Sequence, residues 1–328
     1  MGKARGIEAK LARLRLLRDE PAGPVLVAEL RKALGDNFNL MVAAAAEMVG
    51  ERMVTELAPD LAAAFHRFMI EPAESDKLCR AKNAIVEALN RIEYDEEEIF
   101  RIAMRYEQPE PRWGGSDDMA APLRGSVAYA LVRINPRDLP FLLVDLFCDS
   151  EKVARSAAAR ALGGCGTTAA VPLLRLKAKM GDEESEVTID CLSALMSAAP
   201  QESASFVGQF LNSSDGEVAE GAALVLAESR RPEALELLKK RWQGLRSESL
   251  QNVLLLAIAI TRLPAALEFL LEIVADEREP IAAEALTALA IHRHNDAVRE
   301  RIEGVVAHRK NDKLRERFEK EFRKRDSG

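Results

Sequence analysis

Aromatic side chains are scarce in this sequence: two Trp, three Tyr and eleven Phe in 328 residues. Sheet cores draw on aromatic and β-branched residues, so a large β-sheet is disfavoured. Ala and Leu carry most of the 48% apolar content, which suits helix-on-helix contacts. Cysteine is scarce too. Cys79, Cys148, Cys165 and Cys191 show no CxxC and no metal-type spacing, which excludes a disulfide framework and reads as reduced thiols in a cytoplasmic protein.

Long apolar runs are missing. The longest, residues 253–260, is far too short to span a bilayer. The first twenty residues hold no continuous apolar region and no small-residue cleavage site, so they read as an amphipathic helix with Ile7, Leu11, Leu14 and Leu17 on one face. Gly6 stands where a myristoylation signal wants Ser or Thr. No membrane association is expected.

A basic surplus is missing as well. The net charge is −7. Residues 1–20 carry +3 and residues 307–328 carry +4, which leaves −14 for the body between them. A nucleic-acid binder needs a basic footprint to neutralise phosphates, so no nucleic acid is expected as a partner.

Catalytic signatures are also absent. There is no P-loop, no GxGxxG, no HExxH, no EF-hand loop and no GxSxG. His292 and His294 are two apart and diverge on a helix, and with His308 they find no Cys or acid at ligand spacing. The acidic run 94–98 precedes the helical stretch IFRIAMRY, where acids favour a helix N-terminus. No catalytic residue, cofactor or metal is expected, and the chain reads as non-enzymatic.

What is present is a repeat. Six nine-residue segments begin at Leu123, Ala154, Val187, Val218, Leu250 and Ile281, and end on Leu or Ile at 131, 162, 195, 226, 258 and 289. The steps are 31, 33, 31, 32 and 31. The next-to-last residue is Ala or Val in every copy. Two further copies, 41–49 and 81–89, lie upstream at steps of 40 and 42. Between the segments lie second apolar stretches of helical spacing. The unit is a helix pair that buries its apolar face only by stacking on neighbours.

These segments resemble HEAT repeats, especially the short bacterial PBS-lyase-type variety. That family commonly carries an Asp before the second helix and an Arg six residues later. Here Asp118 with Arg124 and Asp149 with Arg155 match, and Asp76 with Lys82 is a weaker version. Thr188 and Ala282 replace the Arg after Asp182 and Asp276. The resemblance implies an all-α, right-handed α-solenoid of about eight to nine stacked antiparallel helix pairs. It would form a single domain over residues 1–328: an N-terminal capping helix over 1–20, repeats over 21–306, and a charged capping helix over 307–328. The Asp–Arg pairs are expected to form a structural ladder that fixes stacking register.

The longer steps place extra residues near 70–76 and 106–117, and both are expected on one edge of the stack. Insertions in solenoids gather on one face, often a binding face. Trp113 is expected to pack back over the helix ends, with Gly114 and Gly115 making the turn. The alternative has Arg112 and Trp113 contacting a partner, since both types are favoured hot-spot residues. Second helices of such stacks line a concave surface. Asn83, Glu87, Arg91, Tyr129, Arg133 and Arg160 would face it as a basic-aromatic end, with Glu220, Glu228 and Glu284 at an acidic end. The leading expectation is a monomeric interaction scaffold that binds a protein or peptide through the concave surface and the 106–117 loop. The alternative implied by the resemblance is a subunit of a phycobilin lyase-like enzyme.

Overall fold

The computed structural model describes residues 2–19, 23–245 and 248–322. Ile7's side chain lies outside what is described, as do residues 1, 20–22 and 323–328 of the expected end caps. Twenty α-helices, five single 3-10 turns and one short hairpin account for the described elements. In chain order they begin with α1 (Gly2–Leu16), α2 (Pro24–Leu34), α3 (Asn39–Glu51), α4 (Ala58–Phe68), the single turn α5 (Pro72–Ser75), α6 (Arg80–Arg91) and α7 (Glu97–Met104). Strands β1 (Pro109–Arg112) and β2 (Gly115–Asp118) follow, then α8 (Ala121–Ile134), α9 (Leu139–Phe147), α10 (Lys152–Gly164) and α11 (Ala170–Met180). The rest are α12 (Ser185–Ala198), α13 (Pro200–Gln209), α14 (Gly216–Glu228), α15 (Pro232–Gln243), α16 (Glu248–Ile260), α17 (Pro264–Asp276), α18 (Glu279–Leu289), α19 (Asp296–Arg309) and α20 (Asp312–Phe322).

All eight nine-residue segments fall in second helices: α3, α6, α8, α10, α12, α14, α16 and α18. Their final residues, Val49, Leu89, Leu131, Leu162, Leu195, Leu226, Ile258 and Leu289, are buried. The small residues beside them let backbones approach. A Cβ on Gly50 would sit 3.2 Å from the Ala88 Cα, and one on Gly221 would sit 2.5 Å from Ile189. Pro at the first or second position starts many of these helices, including α4, α8, α9, α13, α15, α17 and α18. There its missing N–H costs nothing.

The chain divides into two compact units, residues 1–173 and 174–328. In the first, α3, α6, α8 and α10 pack in succession, and α2, α4, α7 and α9 back them. Helix α1 packs on α3 and buries Leu14. In the second, α12, α14, α16, α18 and α20 form the corresponding row, with α13, α15, α17 and α19 beside it. Helix α20 is charged on one face, yet it buries Leu314, Phe318 and Phe322 and continues the row. The expected boundary at 306 falls inside α19.

The 106–117 connection is not a plain loop. It is an antiparallel hairpin in which Pro109 faces Asp118 and Arg112 faces Gly115. Its tip is Trp113-Gly114, and Gly114 has a φ of 86°, a left-handed value that glycine adopts without a Cβ clash. Gly115 lies in β2 rather than in the turn.

Candidate functional site

The N-terminal ends of the second helices in the first unit hold a chain of charged groups. Asp76 and Lys82 are fully buried, 3.0 Å apart. Asp76 also accepts the Ala81 N–H at 2.8 Å, the Lys82 N–H at 3.0 Å and the Asn39 amide at 3.1 Å. Lys82 donates to the Phe68 carbonyl and lies over the Tyr106 ring, 5.2 Å from its centroid. One repeat on, Arg124 is 3% exposed. It donates to Asp118 at 2.6 Å, forks onto both Asp149 oxygens at 2.6 and 2.9 Å, and reaches the Tyr106 carbonyl at 2.9 Å. Its fork therefore links its own repeat to the next. Arg155 donates to the carbonyls of Asp149 and Ser150.

Partial burial would raise the Asp118 pKa, but the N–H groups of Gln108 and Ala120 and the Arg124 guanidinium outweigh it and hold the carboxyl below its usual range. Burial pushes the Cys79 thiol up to about 12, and Cys191 likewise. Both are inert as nucleophiles at neutral pH.

The hairpin is bolted to this chain. Gln108 is buried; its amide donates to the Asp76 carbonyl at 2.8 Å and to Glu110 at 2.7 Å, and its oxygen accepts from the Tyr106 hydroxyl at 2.7 Å. Glu110 accepts the Leu78 N–H at 2.6 Å. These bonds join the two long connections, as the common edge expected for them requires. Between them, Leu78 and Cys79 take positive φ values of 61° and 51°. That local cost is offset by the cap that Asp76 then makes on α6.

Trp113 does not pack back. It is 99% exposed, because a two-residue tip carries it beyond reach of the helix ends. The hairpin's geometry also restricts how it can be used. A two-residue loop makes Arg112–Gly115 a hydrogen-bonded pair, so Pro111 and Pro109 fall at alternate positions whose backbone faces outward. The outer edge of β1 then offers no N–H there, and strand addition to β1 is blocked.

The other candidate residues lie elsewhere. Arg91 and Arg133 are in the last turns of α6 and α8, whereas the hairpin precedes the first turn of α8. From Ala121 to Arg133 is about 18 Å along the helix axis. Tyr129 is part-exposed on α8, and Arg160 is exposed on α10. Nor are the arginines open charges: Arg91 pairs with Glu87 at 2.6 Å, Arg112 with Asp117 at 3.0 Å, and Arg133 with Asp95 at 2.7 Å and the Tyr94 carbonyl at 2.5 Å. On the basic end expected from sequence, Arg91 is thus paired with Glu87 of its own helix face, and Arg133 with Asp95, an acid that sequence position did not align. In the second unit, Glu284 pairs with Arg317 at 3.1 Å, and Glu220 and Glu228 lie on α14.

Asn83 and Glu87 line an open groove of about 880 Å³ along α3 and α6, walled by Leu11 and Leu14 of α1 and by Arg18 just after it. Its floor is apolar, from Leu40, Ala43, Ala44 and Met48, and its charge is mixed. Among the described residues, no group of three or more His, Cys, Asp or Glu could hold a metal, and no helix is long and apolar enough to cross a membrane.

Residues 204–290, in the second unit, match the family model for HEAT repeats. No curated protein matches the sequence. Among solved structures the chain is similar to the complex of CpcE and CpcF of phycocyanin lyase from Nostoc sp. PCC7120, at 19% identity over 87% of this chain and 97% of that one, with a TM-score of 0.35. It is also similar to an engineered protein, at 17% identity over 96% and 93%, TM-score 0.35, and to human deoxyhypusine hydroxylase in complex with glycerol, at 16% over 88% and 91%, TM-score 0.32. Likenesses at this level carry nothing about what this chain binds. Residues 204–290 thus carry HEAT repeats, and helix pairs stack in two rows within each unit.

Proposed function

We propose that this chain is a non-enzymatic interaction scaffold that binds a protein or peptide, with the hairpin as its principal contact. One observation carries this reading: Trp113 is 99% exposed on a hairpin whose base is held by buried Gln108 and by Glu110. An indole left in water on a fixed support binds without first giving up conformational freedom. Trp is also the residue type that dominates interface energetics. The groove along α3 and α6 supplies a second contact surface, and it lies where second helices were expected to face a partner.

Affinity capture from the native cells tests this, with the intact protein run beside Trp113→Ala at equal helicity. A partner held by the intact protein and lost by the variant supports the scaffold. The same partners on both, or a coloured tetrapyrrole carried by the purified protein, would contradict it. The second result would favour a lyase-subunit role.

A further inference from the structure

We propose that the hairpin surface takes a lysine- or arginine-rich segment of its partner; this rests on reading the hairpin as a binding element. The two connections joined through Gln108 and Glu110 present Glu71, Glu74 and Glu107 to solvent, with Glu110 and Asp117 part-exposed. Lys77, Arg105 and Arg112 oppose them there, and Arg112 is engaged by Asp117. Ile70 and Leu78 stand exposed on the same connection, and Trp113 stands at the hairpin tip. The joined connections therefore carry exposed apolar and aromatic groups together with a net negative charge.

That combination selects one chemistry. An indole face attracts a cation held over it. The aliphatic stems of Lys and Arg cover apolar surface while their charged ends reach the carboxylates. An acidic segment meets like charge at every step, and a neutral apolar one strips water from the carboxylates without replacing it.

The test uses the full chain and three dye-labelled synthetic peptides of one length and one leucine pattern, filled with lysine, glutamine or glutamate. Binding is read by fluorescence anisotropy at low and high salt. The lysine peptide is expected to bind on the order of tenfold tighter than the glutamine peptide, with glutamate weakest and the spread narrowing in salt. Trp113→Ala removes the lysine preference. Glu74→Lys with Glu107→Lys, both on exposed positions, reverses it. Equal binding of all three peptides, a preference for glutamine or glutamate, no binding at all, or a lysine preference indifferent to Trp113 would each overturn the inference. The capture experiment decides the scaffold reading separately: a Trp113-dependent partner engaged through a neutral or acidic segment keeps the scaffold and discards the basic chemistry.

Discussion

At the scale of single residues, burial decides which charges matter. Asp76 and Lys82 have no contact with water, so removing one charge strands the other. Asp76→Ala is expected to destabilise the protein by about 3–5 kcal/mol, read by denaturant unfolding. Asp215 is also a helix cap, accepting from the Glu217 and Val218 N–H groups, but it is solvent-accessible, so Asp215→Ala should cost far less. Similar losses for the two would contradict the burial argument. Asp118 adds a pH dependence. Its carboxyl titrates below the ordinary value, so its contribution is fully present above the unfolded-state pKa of about 3.9 and is lost as pH falls through the lower folded one. The stability gap between wild type and Asp118→Asn should therefore hold at neutral pH and shrink on acidification below about pH 4. The Asp–Arg pairing was legible in the sequence as a six-residue spacing. A reach to the neighbouring repeat was expected with it, and Arg124 does reach Asp149 across twenty-five residues; that it forks onto both Asp149 oxygens was not legible, because only stacking sets that geometry.

At the scale of elements, the second helices were legible because a 31- to 33-residue step repeats whatever the loops do. The hairpin was hidden. Prolines at 109 and 111 argue against a strand, and they are tolerated only because they alternate onto the unpaired edge. Trp113 in the tip reads as a residue to be packed, and nothing local shows that the tip is too short for it to fold back. Two consequences separate support from contact. Gln108→Ala loses the bonds to Asp76 and Glu110 and should cost about 1–3 kcal/mol, whereas Trp113→Ala should stay within about 0.5 kcal/mol of wild type. Close helix approach makes another prediction. Gly221→Ala drives a methyl into Ile189 and should destabilise by about 1–3 kcal/mol, with Ile189→Val recovering part of the loss in a double-mutant cycle.

At the scale of whole units, α20 packs on α18 and covers the last apolar face described in the second unit. Deleting residues 312–328 removes α20 and uncovers the face that Leu314, Phe318 and Phe322 now close. The expected loss is roughly 1.5–3 kcal/mol for each large side chain whose burial is undone, seen as a lower thermal midpoint and dye binding to exposed apolar surface. The charge distribution was readable from sequence as an acidic body with basic ends. The pairing of Arg133 with Asp95 across thirty-eight residues was not, since it depends on which turn faces which helix end. The central claim is that one indole is held out in water for a partner, and the two tryptophans make it directly measurable. Trp242 is buried edge-on against Phe269, with its indole N–H unbonded, so Trp242→Phe sacrifices no hydrogen bond and leaves Trp113 as the sole emitter. The measurement is acrylamide quenching of that variant, alone and with the captured partner. The account predicts water-exposed emission and efficient quenching for the protein alone, then a blue shift and protection when the partner is added. Shielded emission from the free protein, or quenching unchanged by the partner, would contradict it.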